Sequence, residues 1–174
     1  RGDIAAQMVK FIQKEGGFMS REDFADYRVS FEPTVKTRFA GIDVHACGPW
    51  SQGPVLPMTL NLLKGFDLKA LGHNTPEYIH VLVEAMKLSF SDRHNHFGDP
   101  KFVDVPIKGL MSERYADHRR SMIDPRKAWN EMPPAGNPRT LSDIANRWMP
   151  EPEREDGPGP GDTSYICVVG RDRN

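Results

Sequence analysis

The residues with the most specific chemical potential are Asp162 and Thr163. Cutting the peptide bond before Thr163 would free an α-amine on a residue that also carries a hydroxyl. An α-amine has an unperturbed pKa of about 7.7–8.0, so it can act as a general base near neutral pH. A threonine hydroxyl beside its own N-terminal amine is a known nucleophile arrangement. The plainer reading is a β-branched residue that merely begins a strand. The residues alone leave both readings open.

The remaining candidates carry less. His45, His73, His80, His94, His96 and His118 are scattered. Only His94 and His96 are close, and positions two apart on a helix face different sides, which makes a poor metal grip. They are expected to be solvated or hydrogen-bonded at a helix end. Asp92-Arg93, with Asp99 nearby, is expected to form ion pairs within the helix or from helix to loop, not a catalytic acid cluster. Gly48–Pro54 is dense in backbone punctuation but lacks the Gly-Lys-Ser/Thr ending of a phosphate loop. Two cysteines, Cys47 and Cys167, make neither a disulfide framework nor a zinc set. Cys167 sits in an apolar strand pattern, where cysteine acts as a small hydrophobe.

The elements that must position Thr163 can be read along the chain. Ile4, Met8, Phe11 and Ile12 share a face of a helix over about residues 2–15, which stops at Gly16-Gly17. Ser20 caps a short helix at Arg21–Phe24. Two antiparallel strands are expected over roughly 29–37 and 42–47, turned around Arg38–Gly41. A helix follows from Val55 and closes at Gly65. Thr75-Pro76-Glu77 starts a longer helix, expected over 76–92. Ser112 caps another to about residue 122. The stretch 130–162 holds seven Pro and four Gly among its 33 residues. That composition predicts an exposed, mobile segment without regular ladders. Tyr165–Val169 then reads as a strand.

Composition narrows the function classes. The 174 residues carry 23 Lys and Arg against 24 Asp and Glu, a net charge of -1. No basic excess supports a sequence-independent nucleic-acid binder. No apolar run approaches the roughly 20 residues of a membrane-spanning helix. The first residue is Arg1, and the last strand pattern stops at Asn174 with few partners to complete its ladder. Both ends are therefore expected to be cut points within a longer protein.

An ordered series of motifs resembles the γ-glutamyltranspeptidase family over nearly the whole chain. It comprises Gly17–Tyr27 (GFMSREDFADY), Gly48–Pro54 (GPWSQGP), Gly65–Gly72 (GFDLKALG), Glu84–Asp92 (EAMKLSFSD) with Arg93, Gly98–Val105 (GDPKFVDV), Ile123-Asp124 and Asp162–Asn174 (DTSYICVVGRDRN). The resemblance implies an α+β fold of the N-terminal nucleophile hydrolase type. That fold is an αββα sandwich, of which this stretch is mostly helix with a few strands. It implies three parts: residues 1–129 from the end of a large subunit, 130–162 as the segment before the cut, and 163–174 as the first strand of a small subunit. It implies self-cleavage between Asp162 and Thr163, with Thr163 then the catalytic nucleophile. The substrate would be a small γ-glutamyl compound such as glutathione, the acceptor water, an amino acid or a peptide. The two subunits of one precursor would be each other's partners. Neither cofactor nor metal is implied, nor any nucleic acid. The compartment would be periplasmic or secreted.

Substrate-binding residues are expected outside these 174. So are the groups that stabilise an oxyanion, so the isolated stretch is expected to be inactive and to cut itself inefficiently. Two other readings remain open. One is an amidohydrolase of the same superfamily with a different acyl group. The other is an uncleaved, non-catalytic relative that acts as a binding module.

Overall fold

The computed structural model describes residues 2–144. α1 (Asp3–Lys14) buries only Ala5 and Val9, and Gly16 ends it at φ 83°. α2 (Arg21–Asp26) begins with a reciprocal cap. The Ser20 hydroxyl accepts the Asp23 N–H at 3.2 Å, and the Ser20 N–H donates to the Asp23 carboxylate at 2.7 Å. The carboxylate lies at the positive end of the helix, and these hydrogen bonds lower its pKa.

β1 (Val35–Phe39) and β2 (Ile42–Ala46) form an antiparallel hairpin in which Val35 faces Ala46 and Phe39 faces Ile42. Its turn is Ala40-Gly41, with φ of 48° and 84°. Two positive φ values in succession match the twist of the flanking strands, and glycine takes the second at no steric cost. The first strand thus starts at Val35, not near residue 29. Residues 29–34 are exposed and unladdered, and Pro33 has no N–H to offer a partner strand.

α3 (Val55–Leu63) and α5 (Pro76–His96) form the centre. Between them lies α4 (Leu68–Leu71), one turn capped by Asp67, whose carboxylate accepts the Ala70 N–H at 3.0 Å. Thr75 caps α5 by accepting the Tyr78 N–H at 3.2 Å. α5 runs four residues past the expected end. Asp92 lies within the helix and is buried, and the first extended residue is Phe97. α6 (Ile107–Leu110) and α7 (Glu113–Arg120) follow, with Ser112 capping α7.

The main core joins Leu62 and Leu63 of α3, Val81, Ala85 and Leu88 of α5, Ala116 of α7 and Ile123. A second cluster holds Met58, Leu110 and Tyr115. Burying such side chains contributes about 1.5–3 kcal/mol each. Several polar groups inside are paired. Thr59 donates to Ser89 at 3.0 Å, and Thr37 donates to Asn61. Arg120 closes the end of α3 by donating to the carbonyls of Leu62 at 2.7 Å and Asn61 at 2.8 Å. Cations favour that negative end of a helix.

Residues 133–144 correct the expectation of an exposed segment from residue 130. β3 (Ala135–Asn137) and β4 (Ser142–Ile144) pair antiparallel, and Pro133, Ala135 and Gly136 are buried. Proline-rich composition argues against long ladders, but a three-residue strand held by side chains needs none.

Candidate functional site

Asp162 and Thr163 lie outside the described residues, as do Cys167 and the strand expected at Tyr165–Val169. The described residues hold the chain some twenty residues before the Asp162–Thr163 bond, and they hold it by polar side chains.

Asp92 and His96 stand four apart on α5, and Tyr115 and Arg119 stand four apart on α7. Each pair therefore shares a helix face. The two faces meet over β3. Asp92 accepts the Gly136 N–H at 2.9 Å, and His96 Nε2 lies 2.8 Å from the Gly136 carbonyl. Ser91 donates to the Pro133 carbonyl at 2.7 Å, and Arg119 Nη2 donates to the Pro134 carbonyl at 2.8 Å. Arg119 Nη2 also meets the Asp92 carboxylate at 3.1 Å. Arg119 Nη1 lies 3.7 Å from Asp143 of β4, which is half exposed. Four side chains from two helices thus engage the backbone of Pro133, Pro134 and Gly136.

The charges are almost fully out of water: Arg119 is 1% exposed and Asp92 is 2%. Burial raises the Asp92 pKa, and it is opposed first by Arg119 and then by the Gly136 N–H. Burial, together with the Asp92 charge, also pushes the Tyr115 phenol upward, so it stays protonated. Gly136 is required by close approach. A Cβ there would stand 2.3 Å from the Tyr115 hydroxyl and 2.9 Å from Arg119 Cδ. The void among Asp92, Tyr115, Arg119 and Met58 is about 10 Å³. That is too small for a substrate. The arrangement is a structural pin that fixes residues 133–137.

The sequence reading of Asp92-Arg93 differs from this. Asp92 pairs with Arg119 of a different helix, not with Arg93 or a nearby loop. Asp99 instead accepts the Lys101 N–H at 2.9 Å. The signal for the Asp92 cluster was the double i, i+4 spacing, but spacing within each helix does not reveal which helices face each other. His94 and His96 are half-buried, and among the described residues no three His, Cys, Asp or Glu side chains are grouped to hold a metal ion.

The decisive observation is a family-model match. The model of gamma-glutamyltranspeptidase matches residues 1–174. The chain belongs to the γ-glutamyltranspeptidase family. Over 115 residues it is 39% identical to the glutathione hydrolase-like YwrD proenzyme of Bacillus subtilis (strain 168), covering 66% of this chain and 22% of that protein. Over 128 residues it is 31% identical to the acylase ACY 1 proenzyme of Pseudomonas sp. (strain SE83), covering 73% of this chain and 23% of that protein. Among solved structures it is similar to Helicobacter pylori gamma-glutamyltranspeptidase, with a TM-score of 0.70 and 28% identity over 88% of this chain and 42% of that one. The chain thus spans less than a quarter of the length of these curated relatives. The mixed helix-and-strand architecture is that of the γ-glutamyltranspeptidase structures, and with it the N-terminal nucleophile hydrolase class expected from the sequence.

Proposed function

We propose that these residues belong to a self-processing threonine-nucleophile enzyme that transfers or hydrolyses the γ-glutamyl group of glutathione and related amides. One observation carries the reading: the family match runs through residue 174 and therefore includes Asp162-Thr163. The named relatives are proenzymes, which accords with activation by cleavage. In this reading the Thr163 hydroxyl first attacks the Asp162 carbonyl carbon. The peptide nitrogen leaves as the new α-amine, and water opens the resulting ester. The freed amine then takes the proton from the Thr163 hydroxyl as that oxygen attacks the substrate amide, and gives it to the nitrogen of the substrate amine, which leaves as the C–N bond breaks and the acyl-enzyme forms. The acyl-enzyme passes its acyl group to water or to an amine acceptor. The large and small subunits stay together as products of one precursor, and residues 163–174 open the small one.

A second reading has its own support. The similarity to an acylase is close to the similarity to glutathione hydrolases, at 31% and 33% identity for the Pseudomonas acylase and the Escherichia coli (strain K12) glutathione hydrolase proenzyme. The acyl group could therefore be other than γ-glutamyl.

Intact-mass spectrometry of the full-length polypeptide that carries these residues tests the proposal. Two fragments divided between Asp162 and Thr163 are expected in the wild type, with a single uncut chain in Thr163→Ala. A single uncut chain in both would overturn the proposal and leave a non-catalytic binding module. Hydrolysis of glutathione against non-glutamyl amides then separates the two acyl classes.

A further inference from the structure

A second polar pocket opens where the Gly48–Pro54 loop meets the last turn of α5. It has a volume of about 310 Å³, and Trp50, Ser51, Gln52, Arg93, His94 and Phe97 line it. Arg93 is half-buried, and its guanidinium carbon lies 5.9 Å from the centre of the Phe90 ring. Among the described residues no carboxylate lies within ion-pair distance of it. Its sequence neighbour Asp92 is committed to Arg119. Glu32 is engaged by the Trp50 indole N–H. A half-buried guanidinium without a counter-ion, in a pocket of this size, is a charge awaiting a partner.

The lining restricts that partner. Burial, then the neighbouring Arg93 charge, lower the His94 pKa, so the imidazole is neutral near neutral pH and Arg93 supplies the one formal charge of the lining. Two of the loop's amides are already spent internally, which takes them from any cradle for a phosphate. The Ser51 N–H donates to the Gly48 carbonyl at 3.1 Å, and the Gly53 N–H donates to the Ser51 hydroxyl at 3.0 Å. A planar fork with one charge matches one carboxylate through two parallel hydrogen bonds. The indole of Trp50, which is 54% exposed, and the Phe97 ring add apolar walls. The Gln52 carboxamide stands at the rim and can pair with an amide.

We infer that this pocket binds the free carboxylate of a small amino-acid derivative or short peptide, with Arg93 gripping the carboxylate and Trp50 and Phe97 flanking the side chain. The inference concerns residues within 49–98 and does not depend on Thr163 being a nucleophile.

In a proton–nitrogen correlation spectrum of the full-length polypeptide that carries these residues, Trp50→Phe assigns the indole cross-peak of Trp50. N-acetyl-leucine is titrated in, against N-acetyl-leucinamide and inorganic phosphate at equal ionic strength. The expected result is a saturable shift of the Trp50 peak with N-acetyl-leucine alone. Arg93→Gln should abolish it. Arg93→Lys should weaken it by roughly tenfold or more, because the charge remains and the fork is lost. An unmoved Trp129 peak shows that each variant is folded, and Arg93→Lys carries the test if Arg93→Gln does not fold. The proposal is overturned by the absence of a saturable shift, by an equal shift with the amide or with phosphate, or by an unchanged titration in the arginine variants.

Discussion

Arg119 shows what a single residue can impose. It is a permanent cation with 1% of its surface exposed, and its partners come from α5, from the chain before β3 and from β4. Removing one member of such a pair leaves the other charge buried and uncompensated. Arg119→Met is expected to cost about 3–5 kcal/mol, read from urea denaturation midpoints. The cost should depend on pH, with a definite sign. Burial already holds the Asp92 pKa above its ordinary value, and Arg119 is the main group opposing the rise. Without Arg119 the folded-state value climbs further above the unfolded one. The folded state then keeps its proton over a wider range than the unfolded state, so stability is favoured below the unfolded pKa and is lost as pH rises through the folded one. The deficit relative to wild type should be larger at about pH 8 than at about pH 5. An equal deficit at both would show that Asp92 does not titrate in that window.

At the scale of elements, the short β3–β4 hairpin is stable because helices hold it. An isolated two-stranded hairpin is marginal in water. Here the β3 backbone is fixed by Asp92 and His96 and the chain just before it by Ser91 and Arg119, while Gly136 lets it lie against the Tyr115 hydroxyl. Gly136→Ala places a Cβ where Tyr115 and Arg119 already are. It should destabilise by about 1–3 kcal/mol through forced displacement of buried groups. The readout is amide hydrogen exchange: protection of the Gly136 and Asn137 region should fall more than protection of α3. Uniform loss across both would mean that the hairpin and the helical core open as one unit.

The whole described molecule has one helical centre and thin flanks. Leu88 of α5 is fully buried at 0% exposure and lies in the main core with Leu62, Ala116 and Ile123. Leu88→Ala should cost about 2–5 kcal/mol, measured by thermal or chemical denaturation. The flanks differ. Ile4 of α1 is 76% exposed, Phe18 is 99% and Phe31 is 106%, so truncation of these side chains should leave the midpoint nearly unchanged.

Local chemistry alone placed the helices and their caps. Ser20, Thr75 and Ser112 announced three helix starts because a cap is a bond between near neighbours. Gly41 marked the hairpin turn because a positive φ is a property of one residue. The ordered motifs from Gly17 to Asn174 also carried the family, because a series of fixed spacings is itself local information. Tertiary structure decided the rest. The residues around 130–144 have a loop-like composition, yet Pro133 and Ala135 are buried because α5 and α7 present polar side chains to the backbone of Pro133, Pro134 and Gly136. Asp92 pairs with Arg119, 27 positions away, and Arg93 lines a pocket with no counter-ion among the described residues. Neither outcome could be read from spacing, since it depends on which helix faces meet once the apolar core is buried.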